Sequence, residues 1–204
     1  MTSSGAVPPS KEAAFSHGLE QWLAAPGRKT IGDLGDAFEE KSFAVAFLLL
    51  MSLPALPLPT GGVTHVFELV TALLALELMG GRRTMWLPKR WRDHEMGALT
   101  QRKAIPFIVR RVRWFERFSR PRGRSLLEQA LVLRALGAIV LLFTVAAFLA
   151  PPFSGLDTLP ALGVVIVALA MILGDALFVL MGVVVGAVGI ALELLLGSAV
   201  ARLV

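Results

Sequence analysis

The sequence predicts an all-α integral membrane protein with two internal broken-helix repeats, a basic amphipathic linker between them and a C-terminal transmembrane helix. Three observations predict this class. Of the 204 residues, 55% are hydrophobic and only 17% are charged, whereas ordinary globular domains contain roughly 25% charged residues. Apolar runs long enough to cross a bilayer occur in the C-terminal half, and two apolar segments interrupted by Pro and Gly recur at a fixed spacing. With a mean hydropathy of +0.70, the chain lacks the polar residues to cover its apolar surface, which is therefore expected to face lipid.

The N-terminal segment, residues 1–32, is expected to form a polar tail and a short amphipathic helix. That helix spans 11–25 and ends before Pro26 and Gly27. The segment has no apolar core of the length that a secretory signal needs. Targeting is therefore expected to come from the membrane spans themselves.

The first membrane repeat is expected at 33–82, beginning with Asp33 as a plausible N-cap. The apolar part of its first helix, Phe43 to Leu53, is about 16 Å long, roughly half the thickness of the hydrocarbon layer. It enters the membrane without needing to cross it. After a Pro/Gly break, a second helix is expected over 63–80, so the break has the pattern of a re-entrant segment.

A second membrane repeat is expected at 126–175, because a shift of the chain by 93 residues aligns it with the first. Leu and Ala match by chance in any apolar chain, but coincident Pro, Gly and basic residues are harder to dismiss. Parallel and inverted repeats are both compatible with the sequence, and inverted repeats are common in transporters. The aligned pairs are Leu56/Leu149, Pro59/Pro152, Gly62/Gly155, Leu69/Leu162, Ala75/Ala168, Leu76/Leu169, Gly81/Gly174 and the basic pair Lys41/Arg134.

Three apolar runs are candidates for transmembrane helices, since about 20 apolar residues cross the hydrocarbon layer. They are 135–149 with its flanks, 156–173 and 176–201. The last run, in the C-terminal segment 176–204, is interrupted only by Glu193 and small residues. Its GxxxG spacing favours close helix packing.

The linker, residues 83–125, lies in a strongly basic part of the chain. Between Arg82 and Arg124 lie 14 of the 20 Lys and Arg residues, against three acidic residues. Next to membrane spans, this pattern favours a cytoplasmic loop whose residues 102–124 contact anionic lipid headgroups, and we expect no nucleic-acid partner. A stripe of apolar residues fits a helix lying in the interface plane, with a helix packed on a protein partner as the alternative. The stripe contains Ile105, Ile108, Val112, Phe115 and Phe118.

These motifs resemble a known family. The two repeats, the linker containing WLPKRW and RRVRWFERFSRP, and the second break PPFSGLDTLPALG are similar to the ExoD family of bacterial membrane proteins over about residues 30–200. The resemblance implies a multi-pass protein of the bacterial inner membrane with a link to exopolysaccharide synthesis, and it supplies no catalytic motif. The first break departs from the second, because His65 and Glu68 align with Thr158 and Ala161.

The two breaks are the candidate functional site. Non-helical backbone within the hydrocarbon survives only inside protein or along a watery cavity, and paired breaks in two repeats indicate a transporter-type site. Thr64 and Asp157 are good N-cap residues, and a helix N-terminus attracts an anion or polarised water. The predicted substrate-binding or ion-binding residues are Thr60, Gly62, Thr64, His65, Glu68, Ser154, Gly155, Asp157 and Thr158.

Ionisable residues within spans are functional candidates, often in proton relays. His65 and Glu68 are three residues apart and share one helix face, so they form either a proton-exchanging pair or a neutral hydrogen-bonded pair at a rim. The role of Glu193 is left open: it forms either a structural pair with a partner residue or part of a functional site. Glu77 and Asp175, near span ends, are expected to be solvated.

Other chemistries are poorly supported by the sequence. No Cys is present, which excludes disulfides, Cys-ligated zinc, iron–sulfur clusters and thiol catalysis. His17, His65 and His94 are too scattered for a metal triad, and no phosphate-binding loop or nucleophile elbow is visible. We therefore expect no enzyme, no metal and no cofactor.

Two function hypotheses follow from the sequence. The first is a secondary transporter or channel for a small polar or ionic solute, with or without coupling to protons. The second is a non-transporting accessory protein of exopolysaccharide synthesis or export. A membrane enzyme acting on lipid-linked sugars is a distant third. The expected partners are membrane lipids, a small polar or ionic solute and further copies of the chain in a homo-oligomer.

Overall fold

The structure is a computed structural model that describes residues 15–27, 29–30, 33, 36–37, 41–56, 63–82, 85, 105–117, 123–151 and 154–201. In these residues the regular secondary structure consists of eight helices, without a β-strand, which confirms the all-α prediction for this part of the chain. The helices are α1 (Phe15–Ala24), α2 (Ser42–Met51), α3 (Val63–Met79), α4 (Ile105–Glu116), α5 (Arg124–Leu127), α6 (Ala130–Leu149), α7 (Thr158–Leu173) and α8 (Ala176–Ala201).

The chain divides into two compact units. The first unit combines Met1–Glu39 with Leu87–Ser119, so the N-terminal segment and much of the basic linker belong together. The second unit combines Glu40–Trp86 with Arg120–Val204 and contains the remaining six of the described helices.

The first unit is held together by α1 and α4. Val109 and Val112 on α4 and Leu19 on α1 are buried. Both Ser16 N–H, at 3.0 Å, and Ser16 Oγ, at 2.6 Å, donate to the Glu116 carboxylate. The buried residues of α4 are therefore covered by α1 of the same chain, and packing of this helix on a separate partner stays a prediction.

The members of the predicted apolar stripe have different environments. Ile105 and Val112 are buried, and Phe115 is half-buried. Phe118 lies outside the described residues, as does the side chain of Ile108. Lipid contact by residues 102–124 stays a prediction.

The second unit is a bundle of antiparallel helices in which α3 packs against α6 and α2 against α7. His65, at the start of α3, has its ring centroid 5.0 Å from that of Phe148, at the end of α6. At the opposite ends of these helices, a Cβ added at Gly137 would lie 3.1 Å from Met79 N. The start of α3 therefore lies at the same end of the unit as the end of α6. Because α3 and α7 both begin at the end of the unit where α6 finishes, the described helices favour the parallel arrangement over the inverted one, and the repeat itself stays a prediction.

Small residues allow α8 to approach α7 closely. A Cβ added at Gly163 would lie 2.7 Å from Gly186 Cα, and one at Gly189 would lie 2.5 Å from Pro160 Cδ. Backbone contacts of this kind are typical of helix pairs in membranes. The structure confirms the prediction that small residues of the last span serve close helix packing.

By length and composition, two of the described helices can cross a membrane: Ala130–Leu149 and Ala176–Leu196. Only 33% and 17% of their most apolar windows are buried, whereas a core helix of a soluble protein would be mostly buried. Helix α3 also carries an exposed apolar face. It consists of Val66, Leu69, Leu73 and Leu76. These outward faces fit a lipid environment.

Helices α3 and α7 end in the same way, and their ends are related by the predicted offset. Gly81 and Gly174 have φ of +86° and +69°, a left-handed conformation that Gly adopts at low cost. The following residues bond back across the last turn, Arg82 N–H to Glu77 O and Asp175 N–H to Ala170 O, both at 3.2 Å. These are Schellman-type helix ends.

The aligned basic pair also has corresponding surroundings. Lys41 Nζ donates to Ile172 O, at the end of α7, at 2.7 Å. The Arg134 guanidinium lies against the end of α3, since a Cβ added at Gly81 would be 2.6 Å from its Nη2. Each basic residue thus lies at the negative end of a helix from the other half. These shared features support the repeat, which stays an interpretation.

Candidate functional site

The site is built at the end of the second unit where α3 begins, α6 ends and α7 begins. The antiparallel packing brings His65 and Glu68 on α3 within electrostatic range of Asp157, the N-cap residue of α7. Glu193 on α8 also interacts electrostatically with Asp157. We call His65, Glu68, Asp157 and Glu193 the acidic cluster.

Glu68 is the centre of the acidic cluster. Its side chain is 0% exposed, and its Oε2 lies 2.7 Å from Nδ1 of His65, which is 33% exposed. Its other oxygen, Oε1, has no hydrogen-bond partner among the described residues. Burial of a carboxylate oxygen without a partner is unfavourable, so this end of the unit is arranged for something other than stability alone.

Asp157 holds the N-cap position of α7 without capping it through its side chain. The Asp157 carbonyl accepts the N–H of Ala161 at 3.0 Å, and the N–H of Thr158 donates to Gly155 O at 3.4 Å. Thr158 Oγ1 is buried without a partner among the described residues. Thr64 was predicted to cap α3, but this helix begins at Val63 and Thr64 is buried within its first turn.

Glu193 belongs to the acidic cluster, although the sequence left its role open. Glu193 lies one helical turn after Gly189. Because Gly189 is in close contact with Pro160, this part of α8 lies beside the first turn of α7. Glu193 Oε1 is buried and, within the described part of the chain, has no hydrogen-bond partner.

Sequence reasoning missed Thr144 and Phe148 on α6. Thr144 is 0% exposed, and its Oγ1 has no partner among the residues described. It lies one turn before Phe148, whose ring contacts that of His65. The sequence feature that could have indicated them is a single hydroxyl residue within an apolar span, one helical turn before an aromatic residue. Thr71 on α3 is buried too, but its Oγ1 donates to Phe67 O at 2.8 Å.

The remaining predicted residues do not join the acidic cluster. Ser154 and Gly155 are exposed. Ser154 Oγ donates to Pro151 O at 2.6 Å and accepts the N–H of Leu156 at 3.2 Å, so this segment is a connecting turn. Thr60 and Gly62 lie outside the described residues.

The length of α6 exceeds what a re-entrant segment needs. Helix α6 has 20 residues, about 30 Å, which is long enough to cross the hydrocarbon layer before the second break begins. By length and composition, a re-entrant second break is therefore not required. Helix α2 has only 10 residues, about 15 Å, as expected. The acidic cluster lies one to two turns inside one end of the unit.

A metal centre, Asp175 and a groove in the first unit do not add to the site. Among the described residues, no group of three His, Asp or Glu is placed to hold a metal ion. Asp175 was expected to be solvated but is buried, and its Oδ1 accepts the N–H of Leu177 at 3.0 Å, which caps α8. The first unit has a groove of about 730 Å³ between α1 and α4. Its lining includes the ion pair of Arg113 with Glu20 but no predicted site residue.

The fold and the site define a helical membrane protein with a buried acidic cluster near one end of its helices. A family model described as "Exopolysaccharide synthesis, ExoD" matches residues 15–195. The chain belongs to this ExoD family, a family of membrane proteins, and the resemblance drawn from the sequence is confirmed. Membership suggests a role in exopolysaccharide synthesis.

An uncharacterized protein of Synechocystis sp. is 29% identical over 143 residues, which cover 68% of this chain. The match spans 65% of that relative's length. No solved structure matches the chain.

Proposed function

We propose that this protein moves a small polar or ionic solute across the bacterial inner membrane as a multi-pass protein, with the acidic cluster as the solute site. The observation that carries the proposal is Glu68, a fully buried carboxylate with one oxygen beside His65 and the other unpartnered among the described residues. An ionisable group of this kind is costly in a span and is a functional candidate by default. The proposal assigns no enzymatic activity and no cofactor.

The geometry also suggests how protons take part. His65 is one-third exposed, while Glu68 is not exposed at all. The 2.7 Å contact between them joins a water-accessible imidazole to a buried carboxylate, which is the arrangement a proton needs to pass inward. Asp157 and Glu193 then offer further acceptors beyond Glu68.

The test is transport by the purified full chain in liposomes that contain a pH-sensitive dye. An imposed pH or solute gradient should dissipate faster with the protein than without it. Glu68→Gln should reduce this rate at least tenfold. Glu77→Gln is the matched control, because Glu77 lies on the same helix near its other end and this variant should keep the rate. If the protein leaves every gradient unchanged, the transport proposal is wrong.

A second candidate is an accessory role in exopolysaccharide synthesis, favoured by the family's description and by the surface of α4. Arg110, Trp114 and Arg117 are exposed there, a combination suited to anionic headgroups or an acidic protein. Under this reading, Arg110→Glu with Arg117→Glu abolishes exopolysaccharide production in cells, and Glu68→Gln leaves it unchanged. The predicted homo-oligomer stays a prediction under both readings.

A further inference from the structure

We propose that the acidic cluster binds a cation that donates hydrogen bonds, such as a protonated primary amine, and not an anion. This inference names the solute class for the proposed transport site and rests on that function. The cluster contains three carboxylates, Glu68, Asp157 and Glu193, against one imidazole, His65. Among the described residues, no Lys or Arg is one of the groups that interact with these carboxylates.

The unpartnered atoms around the cluster are all oxygens. They belong to four side chains from four helices or their ends, and each is buried without a partner among the described residues. Oxygens of ionised carboxylates only accept hydrogen bonds, and hydroxyl oxygens accept as well as donate. An occupant with several N–H donors would satisfy them. The atoms are Glu68 Oε1, Thr144 Oγ1, Thr158 Oγ1 and Glu193 Oε1.

The helix N-terminus at the site does not favour an anion. The sequence predicted that the start of α7 attracts a negative group, because its N–H groups point outward. In the structure, the N–H of Thr158 donates to Gly155 O at 3.4 Å, and Pro160, the third residue of α7, has no N–H to offer. The N-cap residue, Asp157, also brings its own carboxylate to this helix start. An incoming anion would meet that carboxylate, with Glu68 and Glu193 in electrostatic reach of it.

The set of acceptors favours a hydrogen-bonding cation over a bare metal ion. Calcium and magnesium need six or more oxygen ligands at short distances, and no group of three acidic or His residues in the described part of the chain is placed to hold a metal. A primary ammonium group bonds to three acceptors through three directed N–H groups. Partial exposure of His65 opens the site toward the end of the unit.

The test measures binding, independently of transport, on the full chain purified in detergent. Thermal unfolding is followed during titration with methylammonium chloride, and tetramethylammonium chloride at equal ionic strength is the matched control because it has the charge without N–H donors. The inference expects a saturable rise of Tm with methylammonium only. Glu193→Gln should weaken this binding at least tenfold, Thr144→Val threefold or more, and Glu77→Gln should not change it.

Several outcomes would overturn the inference. These are equal stabilisation by both cations, stabilisation by sodium acetate or glucose in place of methylammonium, and binding that persists in Glu193→Gln. Thr144→Val keeps the shape of the side chain, so it reports on the site even if an acidic variant fails to fold. Amine binding without transport in liposomes would overturn the proposed function alone, and transport that is indifferent to amines would overturn this inference alone.

Discussion

The ammonium group of Lys41 donates a hydrogen bond of 2.7 Å to the carbonyl oxygen of Ile172, at the last turn of α7. The two residues are 131 positions apart in the chain, so this bond ties the start of α2 to the other half of the second unit. The carbonyls of a final helical turn have no partner within the helix. The ammonium group also stabilises the negative end of the helix macrodipole.

Lys41→Met should therefore destabilise the protein by about 1–2 kcal/mol, since it removes a charged donor and keeps most of the apolar stem. Unfolding by denaturant in detergent measures the change. Arg134→Met should act similarly at the end of α3, where the guanidinium contacts Gly81. Exposed Arg110, in the first unit, supplies the control variant Arg110→Met, which should change stability by less than about 0.5 kcal/mol. Equal stability of all three variants would contradict the assignment.

Gly163→Ala should separate α7 from α8. The new Cβ would lie 2.7 Å from Gly186 Cα and 2.9 Å from its N, and backbone atoms cannot move aside as a side chain can. We expect a loss of about 2–3 kcal/mol, measured as a lower midpoint of thermal unfolding. Ala187→Val, on the exposed side of α8, is the control and should be nearly neutral. A neutral Gly163→Ala variant would show that the two helices do not meet at these glycines.

Much of the helix content could be predicted from the sequence. The length of an apolar run and the Pro and Gly residues that end it determine a helix through local interactions. The helix expected over 63–80 is Val63–Met79, and the apolar segment from Phe43 to Leu53 is largely the helix Ser42–Met51. The left-handed Gly81 and Gly174 lie where the 93-residue shift aligned them.

The partners of the helices could not be predicted from the sequence. In lipid, helix association depends on small residues and local fit rather than on an amphipathic pattern. Glu193 joins the site only because Gly189 lets α8 approach Pro160. Likewise, the contact of Ser16 with Glu116 spans 100 residues, and no periodicity within either helix indicates it.

Thr144→Val should keep or raise stability, by up to about 1 kcal/mol, because it replaces a buried hydroxyl that has no partner among the described residues with a methyl group of similar size. Thr71→Val is the matched comparison: Thr71 is equally buried, but it donates to Phe67 O. This second variant should lose about 0.5–1 kcal/mol. Chemical denaturation of both proteins in the same detergent checks the contrast. If Thr144→Val were the less stable variant, its hydroxyl would have a structural role and the site would lose one of its acceptors.

Single cysteines should reveal which ends of the helices share a side of the membrane, because the natural sequence has none. Ser154 follows α6, and Ser198 lies near the end of α8, while Arg82 and Glu128 lie at the opposite ends of the helices they adjoin. With α6 and α8 crossing in the same direction, Ser154→Cys and Ser198→Cys should react with a membrane-impermeant maleimide from one side only. Arg82→Cys and Glu128→Cys should react only from the other. Intact and permeabilised spheroplasts distinguish the sides. Labelling of Ser154→Cys and Glu128→Cys from the same side would mean that α6 does not cross, and the acidic cluster would then lie outside the membrane, where a buried carboxylate carries no transport argument.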